Sequence, residues 1–390
     1  MSDAVIVAAV RSAIGKKKGA LANTRADDLL ALVLQAVATR ANVDPKEIED
    51  VIAGCVTQIG EQGFNIARTA SLMAGFPIEV TGTTVNRQCG SSQQAVHFAA
   101  QAVLSGMMDA VVACGVESMT RIPMGSDAAM GVPGVAPAIP FSPMFNDRFT
   151  FVPQHQSAEM IAEKWGISRK ECEDFALESH KRAAAARESG RFRDEITPLK
   201  VKGADGNDVT FDQDEGIRPD TTAEKLASLK AVVKPDGVVT AGTASQISDG
   251  AAAVLLTSGD KARSLGLKPR ARIKAMTVAG VDPTMMLHGV IPATRKALER
   301  AGLKQSDIGL VEINEAFASV VLAWSKELHW KLDNVNVNGG AVALGHPLGA
   351  SGARLMTTLL HEMEKRDVKY GLQTMCIGFG QATCTILERI

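Results

Sequence analysis

Aromatic side chains are scarce: they make up 4% of 390 residues, with a single tyrosine. The 46% hydrophobic content therefore implies cores filled by Ala, Val, Leu, Ile and Met. Charge of one sign is also lacking. The formal net charge is −1 and there is no long basic block, which argues against nucleic acid or an anionic membrane as partner. Lys16-Lys17-Lys18 reads as a short solvated loop. No apolar stretch approaches membrane-spanning length, and no charged leader precedes an apolar segment near Met1. Leu387-Glu388-Arg389-Ile390 is not a peroxisomal address. The six cysteines, at 55, 89, 114, 172, 376 and 384, have neither metal-ligand spacing nor the look of a disulfide framework. These absences point to a reduced, cytoplasmic enzyme without a metal.

What is present is an α/β pattern. Thirty-five glycines supply tight turns and close helix–sheet contacts, and the length allows two or three domains. An extended run over Ala4 to Val10 predicts a central strand. Asp27 to Thr39 is an amphipathic helix, with Leu29, Leu30, Leu32, Val33, Ala36 and Val37 inward. Asp44-Pro45 opens a short helical turn before a strand over Val51 to Cys55, and Asn65 to Ala74 is a helix. Gly82 to Val85 predicts a buried strand that runs into Asn86-Arg87-Gln88-Cys89-Gly90. Cys89 falls where strand becomes helix, with Gly90 bending the chain. A thiol at a helix N-terminus meets unpaired N–H groups and the positive dipole end, so a lowered pKa is expected. A lone cysteine is more often a small buried hydrophobe, and the decision rests on the rest of the chain.

The apolar strand from Ala110 to Gly115 closes this alternation, and the character changes from about Met119. Pro123 to Pro153 has little periodicity, two helices follow (Ser157 to Lys164 and Arg169 to Ser189), and Gly190 to Pro235 is charged and turn-rich. A structureless loop of that length is abnormal in a compact domain, so an inserted lobe is expected. Alternation resumes at Gly250 to Thr257. Val43-Asp44-Pro45-Lys46-Glu47-Ile48 before Val51 matches Leu303-Lys304-Gln305-Ser306-Asp307-Ile308 before Val311, each 260 positions on (43 to 303, 51 to 311). The turn after Asn86 is echoed by Val337-Asn338-Gly339-Gly340 leading to a helix from about Ser351. A duplicated βαβ domain follows, with equivalent turns meeting at a shared cleft. The expected division is 1–118 as the first half, completed by 246–268, then 119–245 as the insert and 269–390 as the second half.

Three further motifs belong to that cleft. Asn314-Glu315-Ala316-Phe317 begins a helix after the strand Leu310 to Ile313. Gly345-His346-Pro347-Leu348-Gly349-Ala350-Ser351-Gly352 is a turn too rich in glycine for a core. Cys376-Ile377-Gly378-Phe379-Gly380 ends a strand. Singly these are a cap, a turn and core packing. Together they bring two thiols, an imidazole, an amide and free backbone N–H groups to strand ends, the set that acyl transfer with carbon–carbon bond chemistry requires.

Over essentially its whole length, and with these motifs in order, the chain resembles the thiolases, the acetyl-CoA acyltransferases. The resemblance implies that Cys89 is acylated, that His346 takes its proton, and that Cys376 exchanges a proton with the acetyl-CoA methyl carbon. Asn314, through a water, and His346 would form one oxyanion hole; the N–H groups of Cys89 and Gly378 would form the other. The insert would be a loop domain that grips coenzyme A as co-substrate, with no tightly bound cofactor. Arg218 would lie near the adenine and Ser245 near the pantetheine arm, with Ala241 and Phe317 also in contact.

Two departures from the family pattern carry expectations. Phe379 interrupts a run of small glycines, which alters the local pocket. The His-Met pair of short-chain biosynthetic members is missing, and His155 in Pro153-Gln154-His155-Gln156-Ser157 is out of place for it. Both lean towards a degradative enzyme with a bulkier 3-ketoacyl chain. The alternatives are a short-chain biosynthetic enzyme, a related ketosynthase, disfavoured by Cys376, and a non-catalytic scaffold, disfavoured because all four site residues are kept. Assembly as a homodimer or homotetramer is expected, through the strand near Thr83 to Asn86 or the strand that opens the second half.

Overall fold

A computed structural model describes residues 3–129, 141–203 and 205–390. Nine strands carry the architecture: β1 Ala4–Arg11, β2 Asp50–Gly54, β3 Thr81–Val85, β4 Ala110–Ser118, β5 Ser248–Ser258, β6 Ala271–Gly280, β7 Leu310–Ile313, β8 Tyr370–Ile377 and β9 Gln381–Arg389. They run in the order β7-β8-β9-β6-β1-β5-β4-β2-β3, with the short strand Gly15–Lys16 beside β5. β1 is buried along its full length, as its unbroken apolar run requires for a strand covered on both faces.

The duplication is visible in the pairing. In the first half β2 is parallel to β3 and β4, and β4, β5 and β1 follow antiparallel. In the second half β7 is parallel to β8 and to a bridge at Val335, and β8, β9 and β6 follow antiparallel. Two 3₁₀ turns, Pro45–Glu47 and Gln305–Asp307, precede β2 and β7 as the repeat predicts. The two half-sheets are joined by only two residue pairs between β1 and β6, Val5 with Arg272 and Ile6 with Ala271.

Helices cover these strands. Helices α1 (Ala26–Ala41) and α2 (Ile66–Met73) pack outside the first half, while α6 (Val290–Ala301) and α7 (Ala318–Leu328) pack outside the second. Between the halves lie α3 (Ser91–Ser105) and α8 (Ser351–Lys365), whose apolar faces share a core with Ile6, Val111 and Val254. The starts of these central helices touch through backbone. A Cβ on Gly352 would sit 2.2 Å from the Gln93 nitrogen, and the Ala353 N–H donates to Ser92 Oγ at 2.9 Å. No side chain fits there, so Gly352 is set by close approach.

The segment 119–247 leaves and re-enters between β4 and β5, which are sheet neighbours. Its helices α4 (Gln154–Lys164) and α5 (Arg169–Glu188) match the expectation, but the turn-rich stretch also holds a hairpin, Leu199–Lys202 with Asp208–Phe211. Residues 130–140 of the Pro123 to Pro153 stretch lie outside the described residues. The lobe packs its apolar side chains mostly into the cores of both halves: Ile161 and Ala162 join the second half, and Phe192, Ile196 and Leu199 join the first. Buried Arg11 seats it, donating to Glu195 at 2.7 Å and to both Asp214 oxygens at 2.7 and 2.9 Å.

Two expectations about strands are corrected. β3 is not buried: it ends the sheet order, and its residues are exposed or half-buried. β6, which opens the second half, is not an edge, because β9 and the end of β1 flank it. Four apolar or threonine residues in a row read alike at an edge and in a centre, and only the pairing order separates the two cases.

Glu312 on β7 is fully enclosed, 3.7 Å from Arg354, and burial pushes its carboxyl up to about 8. Between its ordinary value and that value the folded chain keeps a proton that the unfolded chain releases, so folding loses stability as pH rises through this window. Glu312→Gln removes this titration. Urea midpoints between about pH 5 and about pH 8 should show wild type losing more stability than the variant, by about 1 kcal/mol or more. Parallel curves for the two proteins would refute the assignment.

Candidate active site

The Cys89 turn is built by local hydrogen bonds. The Gln88 N–H donates to Asn86 Oδ1 at 2.9 Å, the Arg87 N–H to Ser91 Oγ at 3.0 Å, and Asn86 Nδ2 to the Val56 carbonyl at 3.0 Å. The left-handed residue is Gln88, with φ 45°, and not Gly90, whose φ is −92°. Gly90 is needed for contact instead: a Cβ there would lie 2.4 Å from Ile377 Cδ1. This puts the start of α3 against the end of β8, which carries Cys376.

Cys89 is buried, and its own N–H, the Gly378 N–H and the Gln154 side-chain amide act to lower its thiol. Burial nevertheless pushes the thiol up to about 11, so the expected lowering at the helix N-terminus does not occur. Desolvation of the anion outweighs three donors and the dipole in this enclosed position. Cys376 is pushed up to about 12 by burial and then by Cys89 beside it. Both sulfurs are free thiols.

Asn314 links the remaining groups. Its Nδ2 lies 3.3 Å from His346 Nε2 and 3.7 Å from Cys376 Sγ, while the Cys376 thiol donates to the Asn314 carbonyl at 3.9 Å. It is not a helix cap: α7 starts at Ala318, with extended Phe317 in the cap position. His346 Nδ1 is 2.6 Å from Ser351 Oγ, and that hydroxyl donates to the Pro347 carbonyl at 2.8 Å. The serine proton is thus committed, so Nδ1 carries the ring proton and Nε2 presents its lone pair to Asn314. Burial, with the Arg354 guanidinium nearby, lowers the imidazole to about 3, and it stands neutral as a base must.

Two buried carboxylates that the motif reading passed over hold these loops. Glu117, at the end of β4, accepts from the N–H groups of Val56 and Thr57, from Gln62 Nε2 and from the Gly349 N–H, at 2.8 to 3.1 Å. It joins the β2 loop to the His346 turn. Glu315 accepts from Ser179 Oγ, Asn336 Nδ2 and the Val342 N–H, at 2.8, 2.8 and 3.1 Å. It joins the Asn314 segment to α5 and to the arm before His346. Burial raises both, and the donors act against it. Their available signal was an acidic residue inside an otherwise apolar strand end.

The residues expected to contact coenzyme A fall into two groups. Arg218 and Ala241 share a cleft of about 140 Å³ with His180, Lys225 and Gln246. Ser245 and Phe317 lie on adjacent extended segments, paired through Ala244 with Phe317 and through the Ser245 N–H donating to the Ala316 carbonyl at 2.9 Å. The groups connect through Gln246, whose carbonyl accepts from the His346 N–H at 3.2 Å. His155 is exposed, whereas its neighbour Gln154 is half-buried and its amide acts on the Cys89 thiol.

Residues 4–260 match the family description "Thiolase, N-terminal domain" and residues 267–389 match "Thiolase, C-terminal domain". A 3-ketoacyl-CoA thiolase of Vibrio cholerae is 50% identical over 398 residues, covering 100% of both chains. A steroid 3-ketoacyl-CoA thiolase, FadA6, of Mycobacterium tuberculosis is 49% identical over 393 residues, covering 100% of this chain and 95% of its own. The crystal structure of the Bacillus anthracis acetyl-CoA acetyltransferase superposes with a TM-score of 0.93 at 41% identity, covering 100% of this chain and 99% of that one. With both halves matched and the strand ends converging on one buried site, the chain belongs to the thiolase family.

Proposed function

We infer that this chain is an acetyl-CoA C-acyltransferase, cleaving 3-ketoacyl-CoA with coenzyme A to acetyl-CoA and a shortened acyl-CoA. The observation that carries the residue roles is the contact chain His346–Asn314–Cys376, with Cys89 beside Cys376. Cys89 sulfur attacks the 3-keto carbon as His346 Nε2 takes its proton. The bond between carbons 2 and 3 then breaks, and the Cys376 thiol protonates the departing acetyl-CoA carbon. The coenzyme A thiol next gives its proton to the Cys376 thiolate and its sulfur attacks the acyl carbonyl, while the Cys89 sulfur leaves and takes back the proton from the His346 imidazolium. The high thiol and low imidazole values disfavour a standing thiolate–imidazolium pair, so proton transfer accompanies attack. Charge then develops on two oxygens. The N–H groups of Cys89 and Gly378 suit the first, Asn314 with protonated His346 suits the enolate, and each donor contributes about 2.7–4 kcal/mol in such sites.

The domain division proposed from the sequence stands alongside, with 119–245 as the coenzyme A lobe. Arg218 and Ala241 would take the nucleotide end, and Ser245 and Phe317 the pantetheine arm. A cytoplasmic location is our reading of six unpaired cysteines, and among the described residues no helix is long and apolar enough to cross a membrane.

The acyl group we propose is bulky and apolar. Phe379 gathers Phe141 and Phe151 at 5.4 and 5.7 Å, and Phe145 and Phe149 extend the cluster. These side chains remain half-buried or exposed, an apolar wall beside Gly378. Thiolysis assays should give a higher kcat/KM for long or ring-bearing 3-ketoacyl-CoAs than for acetoacetyl-CoA, and Phe379→Ala should lower it for the bulky substrates by about tenfold. A preference for acetoacetyl-CoA that Phe379→Ala leaves unchanged would favour the short-chain biosynthetic reading.

Cys89→Ala should abolish acylation, and mass spectrometry of wild type with substrate should place the adduct on Cys89. Cys376→Ala should still acylate while losing exchange of acetyl-CoA methyl protons with solvent deuterium. An adduct on Cys376, or exchange at the wild-type rate without it, would reverse these roles.

We also propose at least a dimer, paired through the β3 edge. Phe64, Ile78 and Met107 are 101%, 73% and 74% exposed, and β3 has an unpaired ladder side. Light scattering at micromolar concentration should give twice the 41.1 kDa chain mass or a multiple of it; a monomer mass would refute this.

A further inference from the structure

The inserted lobe reaches the catalytic sulfur itself. Gln154 is the first residue of α4, and its Nε2 sits 3.1 Å from where a Cβ on Gly378 would be. Gln88, the neighbour of Cys89, lies 3.9 Å from the same point, and the amide acts to hold the Cys89 thiol down. Two contacts fix it there. Three residues before it, the Phe151 ring stacks on Phe379 at 5.7 Å and 27°, and Phe379 follows Gly378 directly. On the other side, the Ser319 hydroxyl of α7 donates to the Ala158 carbonyl at 2.9 Å, tying α4 to the second half.

We propose that Gln154 is a catalytic residue, a side-chain donor to the Cys89 sulfur each time that sulfur carries negative charge. This rests on the reading that Cys89 is the acylated nucleophile. Charge is on the sulfur twice in a cycle, as its proton leaves during attack on the 3-keto carbon and when the acyl group departs to coenzyme A. At those moments the sulfur faces the Cys376 thiol on β8 and the Glu117 carboxylate on β4, whose charge opposes it, with neutral His346 and cationic Arg354 beyond. The backbone donors at Cys89 and Gly378 have a second duty, since the acyl oxygen needs them as charge leaves sulfur. An amide on a rotatable side chain can stay with the sulfur while they serve the oxygen. On this account Gly378 lacks a side chain because Gln154 occupies the space.

The test uses the full-length enzyme and iodoacetamide, which reports thiolate at Cys89 without requiring turnover. Gln154→Met keeps length and removes the donor; Gln154→Glu removes it and adds charge; Gln156→Ala, exposed on the same helix, is the control. Peptide mass spectrometry gives the Cys89 alkylation rate from about pH 6 to about pH 10. In Gln154→Met the profile should move up by about one pH unit and the rate at pH 8 should fall about tenfold, the factor one bond to a charged group supplies. Gln154→Glu should fall further, and Gln156→Ala should superimpose on wild type. In thiolysis the methionine variant should lose kcat with the KM for coenzyme A unchanged. Urea midpoints equal to wild type in either Gln154 variant separate donor loss from unfolding. An alkylation profile unmoved in both overturns the proposal, even if thiolysis falls. If the profile moves as expected while wild type cleaves no 3-ketoacyl-CoA, the donor stands and the enzymatic reading fails.

Discussion

The arrangement depends on one close approach, the backbone contact between the starts of α3 and α8. Cys89 stands two residues before α3 and His346 five before α8, so the contact at Gly352 and Gln93 sets where both groups lie. Side-chain bulk at that crossing would part the helices, and interiors packed near crystal density cannot absorb such a shift locally. The sheet ends follow from it. β8 brings Cys376 under the Cys89 turn, and β7 brings Asn314 beside His346. The duplicated topology makes this convergence natural, because equivalent strand-to-helix turns of two halves meet when their inner helices pack together.

Burial decides the chemical character of the site. Removing water raises both thiols and lowers the imidazole, so every group that exchanges a proton rests in its neutral form. Neutral resting groups suit a reaction whose charge appears only in passing, on sulfur, on an acyl oxygen and on an enolate oxygen. The cost of anion desolvation is offset by fixed N–H donors that need no reorganisation. Glu117 and Glu315 staple backbone, and Glu312, which keeps its proton up to about pH 8, faces Arg354.

The inserted lobe is bound into this frame by charge as well as by apolar packing. Arg11 on the first strand holds Glu195 and Asp214 of the insert with both carboxylates enclosed, and Thr358 of α8 donates to the same Glu195 at 3.2 Å. Removing one partner of such a buried set costs about 3–5 kcal/mol, since a charge is stranded. A lobe held this firmly can deliver a side chain to a sulfur with the accuracy that acyl transfer requires.

Local pattern in the sequence was sufficient for the alternation of strands and helices, for the 260-residue repeat and for picking out the four residues that the fold brings together. Each of these lives in periodicity or in a motif within a few neighbours. Tertiary structure alone decided the rest. The exposure of β3 and the interior place of β6 depend on strand order, which adjacent residues do not encode. Gly90 looked like a hinge and proved to be a contact with Ile377, a residue nearly three hundred positions away. The lowered thiol was a sound inference from a helix terminus, but it left out burial, which only the folded chain supplies. Glu117 and Glu315 bond to partners on distant segments and Gln154 meets Gly378; an acidic residue at an apolar strand end hints at burial, but its partners are set only by what folds against it.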